Sequence, residues 1–257
     1  QDENIDQKIK ELDYDLFTDR MIGLDFNVTQ DGNIFHFEEL SISISKEKLP
    51  LSGKHNLFNM NCAMLACKQM GLSDEQILSG LVSFKNDPHR LEHICFINDV
   101  EYINDSKATN VDAVYFALDA MEKPIVWIVG GVDKGNDYTP LNELVKERVK
   151  AIVCLGKKNE KIRSHFESIQ PIIVETLSVA ESIKVASLYA EPGDVVLLSP
   201  ACASFDLFRS YIDRGDQFRD VLLQQKKILE EGVFQTIQLT INRSEGSNAS
   251  DTQNNDQ

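Results

Sequence analysis

No two cysteines stand in a C-x-x-C arrangement: Cys62, Cys67, Cys95, Cys154 and Cys202 are scattered through apolar stretches. That argues against a zinc site or a disulfide framework and marks them as reduced core residues. Long apolar runs are missing as well. The longest, Pro124 to Val132 and Asp194 to Ala203, fall well short of the roughly 20 residues a membrane-spanning helix needs, and the N-terminus has no signal-peptide pattern. A cytoplasmic protein with no membrane partner is expected. Basic residues are scarce, 26 against 41 acidic for a net charge of -15, so the surface repels a polyanion and nucleic acid is not an expected partner. There is no G-x-S-x-G elbow to support a serine hydrolase built on Ser204, His89 and Asp105, and no G-x-x-x-x-G-K-[ST] phosphate loop. The chain opens on Gln1 rather than methionine, and is read as a piece of something larger.

What is present is ordinary globular material: 257 residues, 42% hydrophobic, with 13 glycines and 7 prolines, enough for one large or two ordinary domains. Ile22 to Val28 and Ile34 to Ile44 alternate as strands around the turn Gln30-Asp31-Gly32-Asn33. Asn56 to Met70 has helical periodicity and is followed by Gly71 in the C-cap place. Ser73-Asp-Glu-Gln76 reads as a capping box for a second helix through Val82, and Asp87-Pro88 breaks the chain. Beyond the break, strands and helices alternate. Ile94 to Ile97 and Glu101 to Ile103 flank an Asn98-Asp99 hairpin turn. Ile125 to Val129, Ala151 to Leu155, Pro171 to Val174 and Val195 to Leu198 are continuous apolar runs, the pattern of a parallel sheet covered on both faces. Thr109-Asn-Val-Asp112 and Ser178-Val-Ala-Glu181 resemble capping boxes, with Val111, Val114, Tyr115 and Leu118 forming one apolar stripe. The reading is a Rossmann-like open, mostly parallel α/β sheet with helices on both faces. From residue 230 to 257 the sequence turns polar and is expected to be disordered.

In open α/β sheets ligands gather beyond the carboxyl ends of the strands. Three such loops stand out. Asn104-Asp-Ser-Lys-Ala-Thr-Asn110 places Lys107 and Thr109 beside a helix N-terminus, a natural anion site; taken alone, it is better read as a shaped turn with a solvated lysine. Gly130-Gly-Val-Asp-Lys-Gly135 carries Lys134 on a glycine turn. Ser199-Pro-Ala-Cys-Ala-Ser204 leads into an expected helix at Ser204 and offers hydroxyl and N–H donors. Two lysines and a hydroxyl on one sheet edge suit a small dicarboxylate. Elsewhere, Asn56, Asn59 and Arg90 offer amides and a guanidinium that suit a purine edge, ribose or phosphate, although taken alone Asn56 is better read as a helix cap.

The segments LSGKHNLFN, DPHRLE, INDSKATN, VGGVDKG and VLLSPACASFDLF, in this order between about Asp25 and Lys226, resemble the Mur ligase family, most closely the branch that adds D-glutamate to UDP-N-acetylmuramoyl-L-alanine. The resemblance implies an ATP-dependent, amide-forming ligase of peptidoglycan synthesis, working through an acyl phosphate with ATP and Mg2+, monomeric at full length. It implies that Asn56, Asn59, Arg90 and Asp105 meet adenine and ribose. It places Lys107, Thr109, Lys134, Ser204, Phe205 and Tyr211 around D-glutamate, Phe205 and Tyr211 through backbone N–H groups or packing; the family often has phenylalanine at the place of Tyr211. It also divides the chain into the end of a central ATP-binding domain (1–86), an amino-acid-binding domain (87–229) and a tail (230–257). The family's phosphate loop, its magnesium-positioning residues and its UDP-binding domain have no counterpart here, so this polypeptide alone is expected to be inactive. The competing expectation is a non-catalytic module that captures an acidic amino acid or a nucleotide.

Overall fold

The computed structural model describes residues 28–51 and 53–250, without the side chains of 39, 54, 55 and 233–250; the expected strand residues Ile22 to Asn27 lie outside them. The chain divides into two compact units, 1–85 and 86–257.

The first unit begins with β1 (Val28–Asp31), β2 (Ile34–Phe37) and β3 (Ile42–Ser45), an antiparallel sheet in the order β1-β2-β3. Gly32, at φ 56°, makes the turn that the Asp-Gly pair announces. The expected single strand from Ile34 to Ile44 is in fact two, split by a 3-10 turn at Glu38–Leu40 that ends on Ser41 at φ 51°. Alternation alone does not reveal such a break, because Phe35, Phe37, Ile42 and Ile44 all still reach the core. Helices α1 (Lys54–Gln69) and α2 (Asp74–Ser83) follow. Gly71 takes φ 87° after α1, and both arms of the Ser73–Gln76 capping box are formed. Met60 and Met64 of α1 and Ile77 of α2 pack with the sheet residues into one core.

The second unit is a six-stranded sheet in the order β4-β5-β9-β6-β7-β8. β4 (Glu92–Ile97) pairs antiparallel with β5 (Val100–Asn104) through Asn98 and Asp99, both at positive φ, 51° and 61°. After β5 come α3 (Val111–Asp119), β6 (Ile125–Val129), α4 (Asn142–Arg148), β7 (Val149–Leu155), α5 (Glu160–Phe166), β8 (Ile173–Thr176), α6 (Val179–Tyr189), β9 (Val195–Leu198) and α7 (Tyr211–Ser250). The strands from β5 onward are all parallel.

Side chains alternate between the faces, as the two-residue strand period requires. Ile125, Trp127 and Val129 share one core with Val114 and Leu118 of α3, Val145 of α4 and Phe166 of α5. Val126 and Ile128 share the other with Ile183 of α6 and Phe218 and Leu222 of α7. This two-sided burial explains the unbroken apolar runs.

Three local expectations are corrected. The cap of α3 is Asn110, whose side chain accepts from Ala113 N, and not Thr109; asparagine is the stronger cap of the two. Tyr115 leaves the apolar stripe and is exposed, its place taken by Ala117. No helix begins at Ser204. Its carbonyl accepts from Leu207 and Phe208 N in a single turn, and the helix starts at Tyr211 with Ser210 Oγ accepting from Asp213 N at 3.1 Å. The backbone of α7 continues past residue 229, where the expected order ends, with Lys226–Glu230 and Lys227–Glu231 ion pairs one turn apart. Among the described residues no helix is long and apolar enough to cross a membrane.

Candidate functional site

The last strand in sequence lies between the first and second parallel strands. Leu198 of β9 is in register with Asn104 of β5 and with Ile128 of β6, so the loops after these three strands start side by side. Backbone bonds then fuse them. Asp105 N donates to Leu198 O (2.7 Å), Gly130 N to Pro200 O (2.9 Å), Ala201 N to Ala108 O (3.0 Å), and Val132 and Ala203 exchange bonds of 2.7 and 3.2 Å. Gly131 permits this approach: at φ 128°, a β-carbon there would lie 2.2 Å from Ala203 O. From below, Trp127 Nε1 holds Ser199 O at 2.7 Å.

Arg214 of α7 clasps the same three loops. It is 1% exposed and donates to Ser106 O and Oγ (2.9 and 3.0 Å), to Cys202 O (3.3 Å) and to Gly130 O (3.4 Å). Burial pulls its pKa down to about 10, which still leaves a full positive charge at neutral pH beneath the platform. All of these acceptors are neutral, so the charge is satisfied by hydrogen bonding rather than cancelled. The sequence reading passes over Arg214. Its signal was available: it precedes Phe218 and Leu222 by one and two helical turns, which puts a cation on the apolar stripe of α7.

The expected amino-acid-site residues fall on or beside this platform. Lys107 is half-buried, 3.7 Å from Asp87 and over the Tyr211 ring at 5.9 Å. Thr109 is half-buried at the start of α3, Lys134 is exposed on the β6 loop, and Phe205 is 72% exposed. Ser204 is buried and directly follows the Val132–Ala203 bridge, so the Lys134 and Ser204 loops are neighbours. Tyr211 opens α7; its carbonyl accepts from Ser106 Oγ at 2.8 Å. A cleft of about 360 Å³ lies against Lys107, Tyr211, His89 and Arg219.

Of the residues expected to meet adenine and ribose, Asn56 and Asn59 lie one turn apart on α1 of the first unit, half-buried and exposed respectively. Arg90 is exposed in the second unit, and Asp105 is buried there. Asp105 accepts from Leu91 N (3.1 Å) and Ser199 Oγ (2.8 Å), and burial raises its pKa to about 7 against those bonds and the charge of Arg90. His89 is also buried, which lowers its pKa. Its ring meets Asn104 Nδ2 at 3.0 Å and Asp216 at 3.6 Å. With Asp105 bonded to Ser199 and His89 to Asn104, the Ser204–His89–Asp105 relay of a hydrolase is not assembled. All five cysteines are free thiols, and no group of three metal-ligating side chains is arranged around a cation site among the described residues.

Residues 89–202 match the family described as Mur ligase, glutamate ligase domain. That match lies wholly within the second unit. The chain is 48% identical over 191 residues to the UDP-N-acetylmuramoylalanine--D-glutamate ligase of Cytophaga hutchinsonii, covering 74% of this chain and 42% of that protein. It is 47% identical over 180 residues to the ligase of the same name from Porphyromonas gingivalis, covering 70% and 40%. The chain thus spans less than half the length of these curated Mur ligase relatives. Among solved structures, MurF of Acinetobacter baumannii superposes with a TM-score of 0.57 at 17% identity, covering 77% of this chain and 44% of that one. A pseudomurein peptide ligase type C from Methanothermus fervidus gives 0.54 at 18%, covering 77% and 41%. At such identity these two establish the fold.

Proposed function

We propose that this chain is the amino-acid-delivering part of a cytoplasmic, ATP-dependent ligase that joins D-glutamate to UDP-N-acetylmuramoyl-L-alanine in peptidoglycan synthesis. The observation that carries the proposal is the fused platform. It sets Lys107, Thr109, Lys134 and Ser204 on three bonded loops over the buried charge of Arg214, a cationic field tempered by Asp87 beside Lys107 and Asp133 beside Lys134, on a chain of net charge -15. A ligand with two carboxylates is the small molecule such a field selects. Lys134 and Ser204 take one carboxylate, and Lys107 with Thr109 at the start of α3 takes the other. The helix N-terminus at Tyr211 adds amides that have no intrahelical carbonyl.

Asn56 and Asn59 of the first unit, donor-and-acceptor amides one turn apart, fit the edge of adenine; Arg90 of the second unit, taken by itself, fits a ribose or phosphate. ATP supplies the phosphoryl group that activates the acceptor carboxylate as an acyl phosphate. The part of this chain is to hold D-glutamate with its amino group free to attack. Mg2+ finds no ligand cluster among the described residues and enters no step here.

Two measurements test the reading. Calorimetric titration of the chain with D-glutamate gives saturable binding, weakened at least about tenfold by Lys134→Ala, the loss of one charge-assisted pair. Binding that survives this substitution unchanged, or selects an unrelated ligand, sinks the reading and favours a different binding module. A phosphate-release assay with ATP, D-glutamate and UDP-N-acetylmuramoyl-L-alanine yields no turnover from this polypeptide alone.

A further inference from the structure

Lys134 forms no ion pair among the described residues, although a carboxylate stands directly before it in the chain. Asp133 is engaged elsewhere. Its Oδ1 accepts from Gly135 N (2.6 Å), Asn136 N (3.0 Å) and Lys161 Nζ (3.3 Å), and its Oδ2 accepts from Tyr138 Oη (2.8 Å). An ionised carboxylate has about four acceptor positions, two on each oxygen, so Oδ1 is saturated, Oδ2 keeps one position, and Lys134 does not take it. The two backbone bonds close an aspartate turn around Lys134 itself. Tyr138, 1% exposed, anchors that turn to the domain core. Beyond the turn, Asn136 Nδ2 donates to Ala201 O at 3.0 Å, which ties the lysine loop to the β9 loop a second time, after the Val132–Ala203 bridge.

We propose that Asp133 is a positioning residue for Lys134: with Tyr138 and Lys161 it fixes the lysine loop in the binding-ready shape and keeps the Lys134 ammonium available for an anionic ligand. The inference rests on the reading of Lys134 as a carboxylate-binding group. Its physical content is preorganisation. A loop already held in the bound shape loses less entropy when the ligand arrives.

This role has a sign that simple electrostatics does not share. Asp133 is a negative charge beside an anion site, so removing it on charge grounds alone tightens anion binding; removing it as a positioning group weakens binding. The experiment measures the D-glutamate dissociation constant of the chain by calorimetry, with amide hydrogen exchange at Gly135 and Asn136, for Asp133→Ala, Asp133→Asn, Tyr138→Phe and Lys134→Ala. Asp133→Ala is expected to weaken binding about tenfold and to speed exchange at both amides by a similar factor. Asp133→Asn keeps an oxygen acceptor for those amides and restores binding to within about threefold, while Tyr138→Phe loses about threefold. Affinity that is unchanged or improved in Asp133→Ala, with Lys134→Ala still weakened, overturns the inference and leaves the proposed function standing. Affinity that is unchanged in Lys134→Ala overturns both. Should Asp133→Ala not fold, Tyr138→Phe decides: unchanged affinity and unchanged exchange at Gly135 and Asn136 overturn the inference.

Discussion

The imidazole of His89 lies against the α-carbon of Gly215, so close that a β-carbon there would come within 2.2 Å of Nδ1. Both residues are buried, and the ring is held by Asn104 and Asp216, so it has nowhere to retreat. On propensity alone, alanine in a helix is better than glycine by about 1 kcal/mol. Here overpacking outweighs that gain, at about 1–3 kcal/mol. Gly215→Ala is therefore expected to lower Tm by about 5 °C for a unit of this size, and His89→Ala in the same chain to recover part of the loss. A higher Tm in the single variant refutes the packing argument.

Arg214 gives a second prediction. Arg214→Ala leaves the carbonyls of Ser106, Cys202 and Gly130 buried without their donor, each such loss being worth about 1–3 kcal/mol. Urea unfolding is expected to show destabilisation of about 3 kcal/mol or more. Arg214→Lys recovers little of it, because an ammonium cannot span acceptors that the guanidinium fork reaches from several nitrogens. A lysine variant as stable as the parent contradicts this account.

Asp105 predicts a pH dependence. Its folded pKa, about 7, is raised above the ordinary 3.8 by burial, so the folded state holds the proton more tightly than the unfolded chain does. The contribution to stability is complete below the unfolded value and is lost as pH rises through about 7. At about 1.4 kcal/mol per unit the loss reaches roughly 4 kcal/mol. Urea midpoints compared at pH 5 and pH 8 are expected to fall for the parent chain and to change much less for Asp105→Asn. Equal slopes in the two would remove the assignment.

Two glycines in one loop separate collision from strain. Gly131→Ala drives a β-carbon into Ala203 O and breaks the bridge between the lysine and serine loops. Gly135, at φ 92°, has open space around its β-carbon position, so alanine there meets only backbone strain of about 1–3 kcal/mol. D-glutamate affinity is expected to fall more than about tenfold for the first and only a few-fold for the second. The reverse order would show that the bridge does not shape the site.

The pattern of this outcome follows from which forces act locally. The Ser73 capping box, the Asn98-Asp99 hairpin and the runs that became β6 and β9 were legible because a few adjacent residues decide them. The break at Glu38–Leu40 was not, since the alternation survives it. Nor was the turn at Ser204, whose small residues suit a helix start but whose backbone is committed to Val132 and Ala108 across the sheet. The placement of Lys107, Thr109, Lys134 and Ser204 on strand-end loops was legible. Arg214 was not, because a single arginine in an amphipathic helix reads as solvated until the loops it clasps are in place.

The position of β9 has a consequence for how the domain is made. Ser199 reaches Asp105 across 94 residues of chain, and until Val195–Leu198 arrives the lane between β5 and β6 is empty. Pairings across such separations are slow to close. During synthesis β6, β7 and β8 can zip together while the central lane still waits, and the fused loop platform comes into existence only with the final strand and the helix that locks it. The closing of the sheet and the fusing of its three loops are therefore completed by the same event, late in the synthesis of this unit.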